Sequence, residues 1–259
     1  MQFIISAVTW DKALKEDMLQ AELPPLAVKL GCKGVEFRPY WRDVHKELPE
    51  VKKALQRHGL VATYACNDAL LSDTVEGTQQ SLEAMLESLN IAFLIDASIL
   101  RVNVANGSFS ADFIQTEWWQ KAVGSVVAAA AEKGITIAVE NPPNPAAGKV
   151  DLLLSILEAI HSPFFKLTYD TGNWLMAGHK PEEALDKLES YVGYVHLKDM
   201  VPQNNTYAHS FLGVGAVEVM GLMNRILKAG YRGPLALEFP GGNDPEEKVR
   251  LSMKYLYGK

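Results

Sequence analysis

Ile135-Thr-Ile-Ala-Val-Glu140, Phe165-Lys-Leu-Thr-Tyr-Asp170, Tyr191-Val-Gly-Tyr-Val-His196 and Leu235-Ala-Leu-Glu238 are four short apolar runs. Each ends in a side chain that can bind a divalent cation. Runs of this length, apolar throughout rather than alternating, fit parallel strands covered by helices. Their terminal residues lie 170 − 140 = 30, 196 − 170 = 26 and 238 − 196 = 42 positions apart. Each gap holds a loop, a helix, a second loop and the next strand. Glu140, Asp170, His196 and Glu238 are therefore expected at the C-terminal ends of four successive strands of a βα repeat, where such folds carry their chemistry.

The repeat extends toward the N-terminus. Residues 3–8, 34–38, 61–65 and 99–104 are four more strand-like runs, making eight. Helical patterns separate them, with recognisable ends. Pro49 fits a first helical turn and Gly59 its stop. Lys133-Gly134 closes the alanine-rich stretch after Trp118 and Trp119. Pro181 opens a helix with Leu185 and Leu188 on one face. Leu222, Ile226 and Leu227 run to Gly230. Asp244-Pro-Glu-Glu places acidic residues at a positive dipole end. Eight units without a linker or low-complexity stretch predict one (β/α)8 TIM barrel as a single domain over residues 1–259. A doubly wound open sheet is the alternative. It would usually carry a Gly-rich phosphate turn after its first strand, and Thr9-Trp10-Asp11-Lys12 has none.

Composition narrows the function. Hydrophobic residues make up 48% of the 259, which leaves no excess for a membrane span. The net charge, 25 − 31 = −6, comes without a basic block and argues against nucleic acid. Cys32 and Cys66 are too few and too far apart for a disulfide framework or a thiolate zinc site. The N-terminal apolar run is short and precedes the first basic residue, Lys12, so it does not resemble a signal peptide. The expected location is a reducing cytoplasm.

Side-chain alternation along a strand tests the four candidates. If Glu140, Asp170 and Glu238 point into the barrel, so do Ala138, Thr168 and Ala236. Ile137, Val139, Leu167, Tyr169, Leu237 and Phe239 then face the helices. The small or polar residues share the ligand side in every case. Beside His196, Tyr194 and Lys198 share its direction, which places Lys198 above the site. A lone carboxylate at a strand end is ordinarily a cap or an ion-pair partner. Four converging groups, three of them anionic, would repel one another without a cation. Three carboxylates and one imidazole suit a single Mn²⁺, Mg²⁺ or Co²⁺, with zinc less favoured.

Val139-Glu140-Asn141, Tyr169-Asp170-Thr171-Gly172-Asn173, Val195-His196-Leu197-Lys198-Asp199 and Leu237-Glu238-Phe239-Pro240 together resemble the xylose isomerase-like TIM-barrel family. Within it they resemble the sugar isomerase/epimerase branch, which includes ketose 3-epimerases, hydroxypyruvate isomerase and inosose dehydratase. Gly213-Val-Gly215 is similar to a Gly-x-Gly element that this family places before its last helix. The resemblance covers nearly the whole chain. It implies a metal-dependent isomerase or epimerase acting on a small keto-sugar or hydroxy-ketone through an enediolate, with a dehydratase or other lyase as the alternative. It also implies metal binding by Glu140, Asp170, His196 and Glu238, and acid/base roles for Glu140 and Glu238. Homodimers or homotetramers are common in the family, and the implied partner is a carbohydrate rather than nucleic acid or membrane.

Two departures bear on the substrate. Ketose 3-epimerases carry a substrate-contacting histidine three positions after the Asp, where this chain has Asn173. They also carry an arginine beyond the metal-binding histidine, where this chain has Met200-Val201-Pro202, so Lys198 is the candidate replacement cation. Endonuclease IV shares the barrel but needs further histidines for three zinc ions. The third and fourth strands here end near Cys66-Asn67-Asp68 and Asn103-Val104-Ala105, without histidine. An inactive sugar-binding barrel is the remaining class.

Glu36 and Arg38 share one strand face. Arg38 is a candidate substrate contact oriented by Glu36, with an internal ion pair as the equal alternative. Asn103 and Asn173 are further candidate substrate contacts. Trp10, Tyr40, Trp41 and Trp174 follow strand ends and could wall a sugar pocket. His45, His58, His161 and His179 are expected at the surface, and His209 stands in the loop after the seventh strand.

Overall fold

A computed structural model describes residues 1–258. Eight parallel strands close into a barrel. In chain order they are β1 (Gln2–Ser6), β2 (Gly34–Phe37), β3 (Val61–Leu71), β4 (Ala97–Ala105), β5 (Thr136–Glu140), β6 (Phe165–Asp170), β7 (Val192–Leu197) and, after a two-stranded insertion, β10 (Pro234–Leu237). β1 pairs with β10 on one side and β2 on the other, so no edge is left open. The insertion is an antiparallel hairpin, β8 (Asp199–Gln203) and β9 (Thr206–Ser210). Among the described residues no helix is long and apolar enough to cross a membrane.

The expected unit count of eight holds, and several boundaries move. β1 stops at Ser6, not at residue 8, because the Ser6 hydroxyl accepts the Val8 amide and starts a 3-10 turn over Ala7–Trp10. β2 stops at Phe37 and β3 runs on to Leu71, with a register shift between Ala65 and Ala69. The third helix is Val44–His58, capped by the Asp43 carboxylate on the Lys46 amide, so Pro49 lies inside it rather than in its first turn. Gly59 ends it in the left-handed region at φ 61°, as expected. Two of the seven connections between barrel strands split their helix, Asp11–Glu16 from Leu23–Lys29 and Asn173–Ala177 from Pro181–Leu188.

The alternation inferred from the sequence is present. Ile4, Ile99, Ala138, Tyr194 and Ala236 fill the barrel interior as one cluster. Ile137, Val139, Leu167, Tyr169, Leu237 and Phe239 belong to the separate core between strands and helices. Each interior residue on β5, β7 and β10 lies two positions before a candidate ligand, so the same parity carries Glu140, His196 and Glu238 to the top of the interior.

Close strand packing at the bottom of the barrel needs a glycine at position 34. A Cβ there would meet the Val61 carbonyl oxygen, with Val61 Cγ2 at 2.6 Å and Ile4 Cγ2 at 2.9 Å. Gly124, on the helix Glu117–Glu132, has no atom within 4 Å of such a Cβ. Gly34→Ala is expected to lower stability by about 1–3 kcal/mol through overpacking. Gly124→Ala is expected to raise it by roughly 0.5–1 kcal/mol through helix propensity. Urea unfolding of the two variants checks the contrast, and equal effects would contradict the packing account.

Candidate metal centre

Glu140, Asp170, His196 and Glu238 each place one ligand atom so that all four atoms lie within 4.8 Å of one another, and all four residues are buried. Strand register brings them together. Asp170 pairs directly with His196 across β6 and β7, Thr168 with Glu140 across β5 and β6, and Ala236 with His196 across β7 and β10. The ends of these strands are tied by short polar links. The Asn141 side chain accepts the Asp170 amide at 2.8 Å and donates to the Asp170 carbonyl at 3.2 Å. Thr171 Oγ1 donates to the Lys198 carbonyl at 2.8 Å and accepts its amide at 3.0 Å. Asp170 Oδ1 accepts the Gly172 and Asn173 amides, both at 2.9 Å, leaving Oδ2 to face the cluster.

Below the cluster sits Glu36, fully enclosed. It accepts the Ser6 hydroxyl at 2.6 Å, the Tyr194 hydroxyl at 2.8 Å, His196 Nε2 at 2.6 Å and Arg38 Nη2 at 3.0 Å. With Nε2–H donated to Glu36, Nδ1 is the imidazole nitrogen turned to the cluster, 2.8 Å from Glu140 Oε1. Glu36 is thus an internal partner of both His196 and Arg38, and Arg38 bridges onward to Glu238 at 2.8 Å.

Two further cations press on the cluster. Arg101 Nη2 lies 2.6 Å from Glu140 Oε2. Lys198 Nζ lies 2.9 Å from Asp170 Oδ2 and contacts Glu238 Oε2. Side-chain exposure orders the depth: Arg38 12%, Arg101 9%, Glu238 8% and Glu140 6%, against 0% for Glu36, Asp170 and His196. The first four therefore rim the mouth and the last three form its floor.

Charge proximity shifts these groups in opposed directions. Burial would raise Glu140, but Arg101 and His196 hold its carboxyl well below the usual range. Burial is likewise outweighed at Glu238, by Lys198 and Arg38. At Asp170 burial wins over Lys198 and the carboxyl is pushed up. Burial disfavours a charged His196, yet Glu36 and Glu140 raise it to about 10.

The residues fit a divalent cation. Asp170 Oδ2 and Glu238 Oε2 are buried and accept no aligned hydrogen bond, although the Lys198 ammonium is their neighbour. Two such oxygens beside a third carboxylate and an oriented imidazole nitrogen form a donor set for a hard or borderline cation.

The other candidates fall on different sides. Asn103 accepts Arg101 Nη1 at 3.0 Å and donates to the Asn67 carbonyl at 3.0 Å, so it holds Arg101 and the strand-end loop. Asn173 donates to the Asn141 carbonyl at 2.9 Å, and its Oδ1 has no partner. Tyr40, Trp41 and Arg38 line a cleft of about 560 Å3 beside the mouth. Trp10 and Trp174 are packed into the core instead. His45, His58 and His161 are exposed and His179 is half-buried against Trp174. His209, on β9, is half-buried, and burial and then Lys198 lower its pKa.

The sequence reading missed Arg101, Asn141, Thr171 and Asp199. Asn141 and Thr171 stood directly after the ligands. Arg101 was a lone charge within an apolar run, which was its signal. Asp199 accepts the amides of Gly213, Val214 and Gly215 at 3.1, 3.1 and 2.7 Å on one oxygen, and those of Met200 and Val217 on the other. The Gly-x-Gly element is therefore a cradle for the chain's own carboxylate.

A profile of xylose isomerase-like TIM barrels matches residues 24–259. The chain belongs to that family. It is 23% identical over 202 residues to an uncharacterized protein of Methanocaldococcus jannaschii, covering 73% of this chain and 66% of that protein, just under two thirds of its length. Among solved structures it is similar to D-allulose 3-epimerase from Methylomonas sp., with TM-score 0.78 and 16% identity over 100% of this chain and 96% of that one. The probable 3-DHS dehydratase AsbF from Bacillus anthracis superposes with TM-score 0.77 and 17% identity over 99% of both chains. The 3-keto-D-glucoside 4-epimerase YcjR from E. coli gives 0.75 and 16% over 100% of both. At these identities the structures share the family's fold with this chain.

Removing Glu36 leaves Arg38 and His196 without their buried counter-charge. Glu36→Ala is expected to destabilise the protein by about 3–5 kcal/mol, and Glu36→Gln by less, because it keeps the acceptor oxygen and the volume. Denaturant midpoints of the two variants check this. A loss under about 1 kcal/mol in the alanine variant would show that the network does not depend on Glu36.

Proposed function

We propose that the chain is a metal-dependent isomerase or epimerase that moves a proton at a carbon next to a carbonyl of a small polyhydroxy substrate. The observation that carries this reading is the pair Glu140 and Glu238, two carboxylates held ionised at the rim of one donor cluster and supplied by strands separated by β6 and β7. A bound divalent cation, Mn²⁺, Mg²⁺ or Co²⁺, would polarise the carbonyl oxygen and so acidify the neighbouring C–H. One glutamate accepts that proton, and the bonding pair moves into an enediolate. The other glutamate, approaching from a different direction, returns a proton to carbon. Asp170 and His196, with fully buried side chains, would hold the ion, with Glu36 fixing the imidazole. Arg38 beside Glu238 and the cleft walled by Tyr40 and Trp41 offer contacts for substrate hydroxyls.

Lys198 favours a second reading, a dehydratase. Its ammonium is buried against Asp170 and Glu238 and can donate a proton to a departing hydroxyl after the same deprotonation. The two reactions separate at the product: an isomer in the first case, a dehydrated enone in the second.

Glu140→Gln and Glu238→Gln keep volume and remove the base. Each is expected to lower turnover, and exchange of the substrate's carbon-bound proton with deuterated water, by about 10²-fold or more. NMR on a panel of keto-sugars and keto-acids with the Mn²⁺-loaded protein measures both. Near-normal exchange in either variant would refute the two-glutamate mechanism.

A further inference from the structure

We infer that the substrate carries a carboxylate, and that Arg101, with Lys198 beside the same cluster, recognises it. The inference rests on the proposed function only for the divalent ion at the cluster. Its basis is a charge count. Four carboxylates belong to the network, Glu36 beneath the cluster and Glu140, Asp170 and Glu238 within it, with three buried or nearly buried cations, Arg38, Arg101 and Lys198. Arg38 and Glu36 balance each other at 3.0 Å. The three remaining carboxylates bring −3, Arg101 and Lys198 bring +2, and a divalent ion bound by a neutral imidazole brings +2. The loaded site then carries one positive charge more than its own residues neutralise.

An unbalanced buried charge costs free energy. Three carboxylates and an ion alone would leave −1, so one extra cation would suffice for balance, and the chain supplies two. The second cation has a use if the ligand itself brings a negative charge. Arginine is permanently charged, and its planar fork matches a carboxylate. Arg101 is held ready for this. Nη1 donates to the Cys66 carbonyl at 2.9 Å and to Asn103 Oδ1 at 3.0 Å, Nη2 meets Glu140, and Nε is buried with no partner. The guanidinium lies at the rim, 9% exposed, on the same side as Glu140. Lys198 is held from below: a Cβ on Gly172 would come within 2.7 Å of Lys198 Cγ, so only glycine leaves this path for the lysine stem.

A phosphate is the other anion that such cations bind. Its charge at neutral pH, about −1.5 to −2, exceeds the single charge to be balanced. The nearby set of backbone amides that could cradle it, at Gly213, Val214 and Gly215, is filled by Asp199. Both observations favour a carboxylate.

Three achiral probes with the same three-carbon hydroxy-ketone frame test this: dihydroxyacetone, hydroxypyruvate and dihydroxyacetone phosphate, in which one end is a neutral hydroxymethyl group, a carboxylate or a phosphate ester. Binding to the Mn²⁺-loaded protein is measured by calorimetry. Hydroxypyruvate is expected to bind at least about tenfold more tightly than dihydroxyacetone. Arg101→Met is expected to abolish that preference while still binding Mn²⁺, and Arg101→Lys to keep part of it. Equal affinities, or no binding of the acid at tens of millimolar, would overturn the inference. So would tighter binding of the phosphate, or a preference that survives in Arg101→Met, which would assign recognition of the acid to the ion alone. Equilibrium binding requires no turnover, so this result and the proton-exchange result on the glutamine variants can fail independently.

Discussion

The carboxylates of Glu140, Asp170 and Glu238, with ligand atoms brought within 4.8 Å of one another at the C-terminal end of a closed barrel and Glu36 enclosed beneath them, must be neutralised, and the arrangement of the whole C-terminal face stems from that need. Desolvated like charges repel strongly and would otherwise protonate or force the strands apart. The chain answers with Arg38, Arg101, Lys198 and His196, each in contact with at least one carboxylate. Glu36 lies deepest and joins β1, β2 and β7 through Ser6, its own strand and Tyr194 with His196. The polar network thus closes the barrel at the level where apolar side chains give way to the site.

The same network explains the roles the residues divide among themselves. Floor residues are immobilised: Asp170 by two backbone amides, His196 by Glu36, and the loop beyond Asp170 by Asn141 and Thr171. Rim residues keep some contact with the mouth, and they are the ones with acid/base or ion-pairing chemistry. A rigid floor of possible ligands beneath a rim of charged side chains is the arrangement that the proposed chemistry next to a carbonyl would need. Two epimerases and a probable dehydratase share this barrel, so the fold by itself does not choose between returning a proton and expelling a hydroxyl.

Much of this was legible in the sequence, for a physical reason. A parallel strand buried on both faces is mostly apolar along its length, so Glu140, Asp170, His196 and Glu238 stood out at the ends of apolar runs. Alternation then fixed the inward direction of Ala138, Thr168 and Ala236, and the structure keeps it. Glu36 and Arg38 were visible as a pair, and they are in contact at 3.0 Å, although the contact of Glu36 with His196 spans 160 positions and no local pattern encodes it. Arg101 was visible only as a lone charge inside an apolar strand, and its contact with Glu140 on the next strand has no local pattern. The hairpin Asp199–Ser210 was also missed. Its signal was Asn204-Asn205, both in the left-handed region at φ 47° and 62°, which makes the two-residue turn that a twisted hairpin requires. Strand ends set by a single side-chain bond, such as Ser6 with the Val8 amide, are below the resolution of any pattern.

On the proposed reading, one divalent cation is held by four side chains at the ends of four strands, with the imidazole oriented by Glu36. Anomalous diffraction from a crystal of the Mn²⁺-loaded protein tests it most directly. The account predicts one strong peak per chain, about 2.0–2.6 Å from carboxylate oxygens of Glu140, Asp170 and Glu238 and from Nδ1 of His196, with Nε2 still bonded to Glu36. A peak elsewhere, ligation through Nε2, or no peak at saturating Mn²⁺ would contradict it.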